Sequence, residues 1–150
     1  MVTAKTIEDF LSSKRLAVVG VSRSGKKFGN SAMKELRSKG FMVYPVNSKA
    51  DKIDGEKCYH SLNVLPEKVD GAVIVVPPDE AGKVVRDAAA AGIHKVWFQL
   101  GSQSKDSIRF CEENGMSAVH GECILMFTEP VNGFHKFHKT VKKVFGGLPK

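Results

Sequence analysis

Short apolar segments alternate with amphipathic segments along most of the chain. Continuous apolar runs, typical of strands buried on both faces, predict strands at residues 16–20, 41–46, 71–76 and 95–100 and a short fifth strand at 117–120. Segments with helical spacing lie between them, at residues 6–13, 30–39, 79–91 and 104–114. The alternation predicts an α/β fold, a doubly wound, mostly parallel five-stranded sheet of the Rossmann-like type.

Three further segments complete the expected layout. Thr6 and Asp9 are spaced like a capping box at the start of the first helix. Residues 47–59 are predicted to form a long polar loop, and residues 61–65 a helical turn. Phe134, Phe137 and Val141 follow helical spacing and predict a C-terminal amphipathic helix over residues 131–146, packed on the sheet with its lysines in solvent.

Composition limits the classes of protein that need to be considered. The 150 residues, 42% hydrophobic and 26% charged, suit one globular domain over residues 1–150 and exclude a mostly disordered chain. No apolar run is long enough to cross a bilayer, and residues 1–15 have no apolar segment typical of a signal peptide, so we expect no membrane partner and a cytoplasmic protein. The net charge of +7 favours anionic ligands without identifying one.

The first predicted strand leads into a polar loop rich in glycine and basic residues. A loop between a strand and a helix can bind phosphate through backbone N–H groups and the helix dipole, and basic side chains add countercharge. The loop is neither a Walker A motif nor a strict GxGxxG fingerprint, because Ser22 occupies the second glycine position. An ordinary βα turn with solvated lysines is the alternative. The candidate phosphate-binding residues are Gly20, Ser22, Arg23, Lys26, Lys27, Gly29 and Asn30.

The second predicted strand ends in Pro45, Val46 and Asn47. Enzymes that use NAD usually have an acidic residue here to hold the ribose hydroxyls, but the first carboxylate in this segment is Asp51. The segment therefore disfavours NAD and leaves room for a ligand with an extra ribose phosphate, such as NADP or coenzyme A. A turn shaped by Pro45 and Asn47 is the alternative.

The third and fourth predicted strands also end in candidate ligand-binding residues. Val76, Pro77 and Pro78 offer an apolar wall without donors, which suits an adenine or a pantetheine arm, although proline at a helix start is common. Gln99, followed by Gly101, is placed to bind an amide-bearing ligand. Trp97 is expected in the core.

Together these motifs resemble the small CoA-binding proteins that are similar to the N-terminal CoA-binding domain of the succinyl-CoA synthetase α subunit. The resemblance rests on GVSxxxxKxG at residues 20–29, PVN at 45–47, VVPP at 75–78 and WFQLG at 97–101, and GECI at 121–124 matches a segment near the end of that domain. It covers residues 6–126. No single motif is specific, but the set is.

The resemblance implies a coenzyme A ligand, free or acylated. The loop of residues 20–30 would hold the phosphates, with Ser22 and Lys27 at matching motif positions. Residues 45–47 would flank the nucleotide end, and residues 76–78 and 99–101 would line the rest of the crevice. Residues 23–26 vary among members, so the resemblance assigns neither Arg23 nor Lys26 to a particular phosphate.

The sequence predicts a binding module rather than an enzyme, with no catalytic residue and no metal site. In the synthetases the phosphorylated histidine belongs to a second domain, and no histidine here stands in such a motif. The three cysteines form no CxxC motif, which argues against a zinc site or a disulfide framework. Cys123 is either incidental or able to pair with the CoA thiol, and whether Cys58 or Cys123 reacts is left open.

The sequence leaves two other functions and one oligomeric state as alternatives. An NADP-dependent oxidoreductase fits the fold and the basic loop after the second strand, but lacks a catalytic residue. A nucleic-acid-binding domain fits the net charge of +7, but no recognition motif supports it. A homodimer is compatible with the sequence.

Overall fold

The central element of the fold is a five-stranded parallel sheet with helices on both faces. A computed structural model describes residues 2–128. In chain order its helices and strands are α1 (Ala4–Leu11), β1 (Arg15–Val19), α2 (Phe28–Ser38), β2 (Met42–Val46), β3 (Lys52–Ile53), β4 (Glu56–Lys57), β5 (Gly71–Ile74), α3 (Pro78–Ala90), β6 (Lys95–Phe98), α4 (Lys105–Glu113) and β7 (Ser117–Val119). The predicted α/β class and the parallel sheet are confirmed.

The strand order is β2-β1-β5-β6-β7, with every pair parallel. The chain runs outward from β1 to β2 and then crosses to the other side of β1 to form β5. The connections that leave β1 and β5 therefore diverge above the carboxyl ends of two neighbouring strands. In open α/β sheets this switch point is where a crevice opens.

Alternate side chains of the strands fill one hydrophobic layer on each face of the sheet. Leu16, Val18 and Trp97 pack with residues of α1 and α2, whereas Ala17 and Phe98 pack with residues of α3 and α4. Because both faces are covered, the strands read as continuous apolar runs. Trp97 is fully buried, as expected, and its indole N–H donates to the carbonyl of Glu122 at 3.0 Å.

The structure corrects two local predictions. The first capping box joins Thr3 to Thr6, not Thr6 to Asp9, and α1 begins two residues earlier than predicted. The predicted loop of residues 47–59 contains the antiparallel hairpin β3–β4. Asp54 and Gly55 form its turn with φ values of +48° and +81°, so the Asp-Gly dipeptide was the signal for this hairpin.

Two further expectations concern the C-terminal segment and membrane-spanning helices. The predicted C-terminal helix over residues 131–146 lies outside the described residues. Within residues 2–128, no helix is long and apolar enough to span a membrane.

Candidate functional site

A cleft of about 780 Å³ opens at the switch point, above the carboxyl ends of the strands. Segments that follow β1, β2, β5 and β6 form it together with the first turns of α2 and α3. The structure thus brings together residues from all four strand-end motifs that the sequence singled out. The predicted site residues that line the cleft are Gly20, Ser22, Lys27, Val46, Asn47, Val76, Pro77 and Gly101.

Two glycines allow the backbone segments around the cleft to approach one another. Gly20 has a φ of +117°, and a Cβ on it would lie 2.1 Å from the carbonyl oxygen of Val75, the residue that follows β5. A Cβ on Gly29 would lie 2.7 Å from the carbonyl oxygen of Gly20. Gly29 does not line the cleft but supports it from behind, because it lets α2 start directly against the loop after β1.

The tip of the loop after β1 is held by its own side chains. The Ser24 N–H donates to Ser22 Oγ, and the Lys26 N–H donates to Ser24 Oγ, both at 3.2 Å. The Gly25 N–H donates to the Ser22 carbonyl at 3.1 Å. These N–H groups are therefore already paired, and neither Arg23 nor Lys26 lines the cleft.

The first turn of α2 provides donors that the loop tip does not. Lys27 is the N-cap and makes no side-chain capping bond. Among residues 2–128, the N–H groups of Phe28 and Gly29 have no hydrogen-bond partner, as is usual in a first helical turn. The turn contains no acidic residue. It therefore presents a positive helix end, with the Lys27 side chain beside it, toward the cleft.

The start of α3 has the opposite character. Pro78 occupies the first turn and lacks an N–H group, and Asp79 and Glu80 follow it at the cleft wall. Their carboxylates compensate the dipole of α3 and repel an anion. The cleft is thus polarised, with a cationic side at α2 and an acidic side at α3.

Lys49 adds to the cationic side, and Lys83 does not. Within the described part of the chain neither Lys27 nor Lys49 forms an ion pair, so both charges are available to a ligand. Lys83 lines the acidic side, but its ammonium is paired with the Asp87 carboxylate at 3.0 Å.

The remaining predicted site residues lie elsewhere. Asn30 is buried behind the loop, and Pro45 faces a second cavity of about 360 Å³ at the outer edge of β2. Pro78 belongs to α3 and does not line the cleft. Gln99 is buried, and its side-chain carbonyl accepts the N–H of Ile124 at 3.1 Å. Gln99 therefore holds the segment after β7 in place.

Several cleft residues were not predicted from the sequence. His60, Ser61 and Leu62 form one wall, where the predicted helical turn appears as a short 3₁₀ helix at Leu62–Val64. The His60 Nε2 atom lies 2.8 Å from the Asp51 carboxylate. Their place at the cleft depends on how the connection from β2 to β5 crosses the sheet, which residue spacing does not reveal.

Burial shifts the pKa values of three titratable groups among residues 2–128. Burial raises the pKa of the Cys111 thiol to about 11, and it also raises the pKa of Cys58. Burial lowers the pKa of His120, which does not line the cleft. In the described range 2–128, no three His, Cys, Asp or Glu side chains cluster as metal ligands do.

The fold and the cleft define a Rossmann-like domain with a ligand crevice at its switch point. The sequence profile described as CoA binding domain matches residues 14–129. The chain belongs to this family, and it fits a CoA-binding domain of the succinyl-CoA synthetase type.

Three proteins with similar sequences or structures show how much of each relative the chain covers. Acetate–CoA ligase (ADP-forming) II of Archaeoglobus fulgidus is 40% identical over 93 residues, which cover 61% of this chain and 14% of the ligase. The α subunit of acetate–CoA ligase (ADP-forming) II of Pyrococcus furiosus is 26% identical over 91% of this chain and 32% of the subunit. A conserved hypothetical protein from Pyrococcus furiosus has a solved structure with a TM-score of 0.70 and 45% identity, covering 75% of this chain and 97% of that one. This chain thus spans a minor part of the ligases but nearly the whole of the hypothetical protein.

Proposed function

We propose that the chain binds coenzyme A, free or acylated, in the cleft at the switch point, as a binding module without group-transfer chemistry of its own. The observation that carries the proposal is the first turn of α2. The unpaired N–H group of Phe28 and the ammonium of Lys27, which forms no ion pair within residues 2–128, lie at the cleft of a chain that belongs to the CoA binding domain family.

The diphosphate of the ligand is assigned to the cationic side of the cleft. The N–H group of Phe28 is the donor, and Lys27 supplies a charge-assisted contact. Lys49 supplies a second positive charge near the end of β2. The acidic first turn of α3 keeps phosphate away from the other helix that starts at the cleft.

The uncharged parts of the ligand are assigned to the remaining walls. Val76, Pro77 and Leu62 provide apolar surface, and Ser61 and Ser102 provide hydroxyl groups. The volume of about 780 Å³ lies within the range of about 300–1,000 Å³ that is typical of ligand pockets. No acidic residue ends β2, which supports a ligand other than NAD.

A binding role is proposed because neither a cysteine nor a histidine free of a carboxylate partner lines the described part of the cleft. Among the described residues that line it, His60 is the one histidine, and its Nε2 atom is held by Asp51 at 2.8 Å. No cysteine lines the cleft in that range. The ligase activity named for the relatives belongs to chains of which this one spans 14% and 32%.

A thermal-shift panel with CoA, acetyl-CoA, 3′-dephospho-CoA, NAD, NADP and ATP tests the proposal. A ligand at about 100 times its Kd adds roughly 2.7 kcal/mol to the stability of the folded state, a shift of several degrees in Tm. Shifts with CoA and acetyl-CoA that exceed those with NADP and NAD are expected. A shift with NADP and none with CoA would refute the proposal in favour of an oxidoreductase, and a flat panel would refute a nucleotide ligand altogether.

A further inference from the structure

The sequence predicts Asn30 among the phosphate-binding residues, but both polar atoms of its side chain form hydrogen bonds inside the protein. It is 1% exposed and lies in the first turn of α2. Its Oδ1 accepts the N–H of Ser22 at 2.8 Å, and its Nδ2 donates to the carbonyl of Ser22 at 2.9 Å. Both polar atoms of the side chain therefore hold the backbone of one residue.

This two-point contact fixes the orientation of Ser22 relative to α2. A single hydrogen bond would hold only one of the two peptide groups that flank Ser22, whereas the bonds to its N–H and its C=O fix the orientation of both. Ser22 in turn accepts the Gly25 N–H with its carbonyl and the Ser24 N–H with its hydroxyl. Asn30 thus sets the position from which the loop leads into Lys27.

Asn47 holds the neighbouring residue of the same loop from the side of β2. Its Nδ2 donates to the carbonyl of Val21 at 2.6 Å, and its Oδ1 accepts the Lys49 N–H at 2.8 Å. The loop after β1 is therefore held from two sides at consecutive residues. This leaves the loop little freedom to move relative to the first turn of α2.

We infer that Asn30 is a positioning residue for the ligand, acting through Ser22 and not by contact. The inference rests on the proposed function, because it assigns Asn30 to the phosphate-binding arrangement of that same cleft. Asn30 holds Ser22 at the distance from α2 at which Ser22, Lys27 and the Phe28 N–H group converge on one anion. Without it, the loop and the turn no longer present a single preformed site, and binding must first order the loop.

The test is the Kd for CoA of the full chain carrying Asn30→Ala, measured by isothermal titration at 25 °C. Asn114→Ala is the matched control, because Asn114 Nδ2 also donates to a backbone carbonyl, that of Phe110 at 2.8 Å, at the end of α4 away from the cleft. Both variants are expected to lose stability. At 25 °C a moderately destabilised variant is still almost entirely folded, so a purely structural role leaves its Kd unchanged.

We expect the Kd of Asn30→Ala to rise about tenfold or more, equally for CoA and acetyl-CoA, and that of Asn114→Ala to stay within twofold. If Asn30→Ala does not fold, Asn30→Ser, whose hydroxyl replaces at most one of the two hydrogen bonds, should show a smaller rise in Kd. A wild-type-like Kd in the folded Asn30 variant, or an equal rise in Asn114→Ala, would overturn the inference while leaving the proposed function intact. Absence of CoA binding by the wild-type chain would overturn both.

Discussion

Replacing Gly29 by alanine tests whether the cleft depends on the close approach of α2 to the loop after β1. The added Cβ would lie 2.7 Å from the carbonyl oxygen and 3.0 Å from the carbonyl carbon of Gly20, and 3.2 Å from the Val21 nitrogen. All three atoms belong to the backbone, so no side chain can rotate to make room. The start of α2 or the end of β1 has to move.

The expected loss of stability follows from two opposing contributions. Overpacking of a well-filled site typically costs about 1–3 kcal/mol. Alanine in a helix is favoured over glycine by about 1 kcal/mol, which offsets part of that cost. A net loss of up to about 2 kcal/mol corresponds to a decrease in Tm of up to roughly 4–8 °C for a chain of this length.

Gly82→Ala is the matched control within α3. A Cβ on Gly82 would lie 3.3 Å from a terminal nitrogen of the Arg86 side chain, which can move. This variant should therefore gain about 0.5–1 kcal/mol from helix propensity. Calorimetric unfolding of both variants, with a CoA titration of each, measures the difference. If Gly29→Ala were as stable as Gly82→Ala, or bound CoA with unchanged affinity, the close-approach argument would be refuted.

Three further predictions concern charge and protonation. Lys27→Ala should weaken CoA binding by about 1–2 kcal/mol through loss of a charge-assisted phosphate contact. Its control is Lys52→Ala, on β3 outside the cleft, which should leave the Kd for CoA unchanged. Equal effects of the two substitutions on the Kd would exclude Lys27 from the site. Asp79→Asn should tighten CoA binding about twofold to fivefold at low salt, and Asp106→Asn in the first turn of α4 should not; a weaker complex would contradict the repulsion assigned to α3. Burial raises the pKa of Cys111 to about 11 from an ordinary value of 9.0, so the unfolded chain loses this proton at a lower pH than the folded chain does. The free energy of unfolding should therefore fall as the pH rises from about 9 to 11. Chemical unfolding of Cys111→Ala over this pH range should show a shallower fall.

The sheet could be predicted from the sequence because its strands are buried on both faces. Each run of small and branched apolar residues, such as that of β5, is long enough for a strand and too short for a typical helix, and each helix between them shows one apolar face. Strand ends were less certain. The sequence extended the third strand through Val76, whereas β5 ends at Ile74, because nothing in apolar character separates the last paired residue from the first cleft residue.

The candidate site was predictable in its location but not in the role of each residue. Strand-end motifs identify which segments meet at the carboxyl edge, and residues of all four line the cleft. Sequence does not say whether a polar side chain faces a ligand or its own backbone. Asn30 and Gln99 look like ligand contacts in the sequence, and both are buried with partners inside the protein. Residues 60–62 were missed because a long connection brings them to the cleft.

The central claim is that coenzyme A binds at the first turn of α2, and amide chemical-shift mapping by NMR during a CoA titration tests it most directly. The account predicts the largest shifts at the amides of Ser22, Lys27 and Phe28, with smaller shifts near Pro77 and Leu62 and none at Tyr44 in the second cavity. Saturable shifts centred on Tyr44 and the outer edge of β2, or amides of the α2 turn that do not respond to CoA, would contradict it.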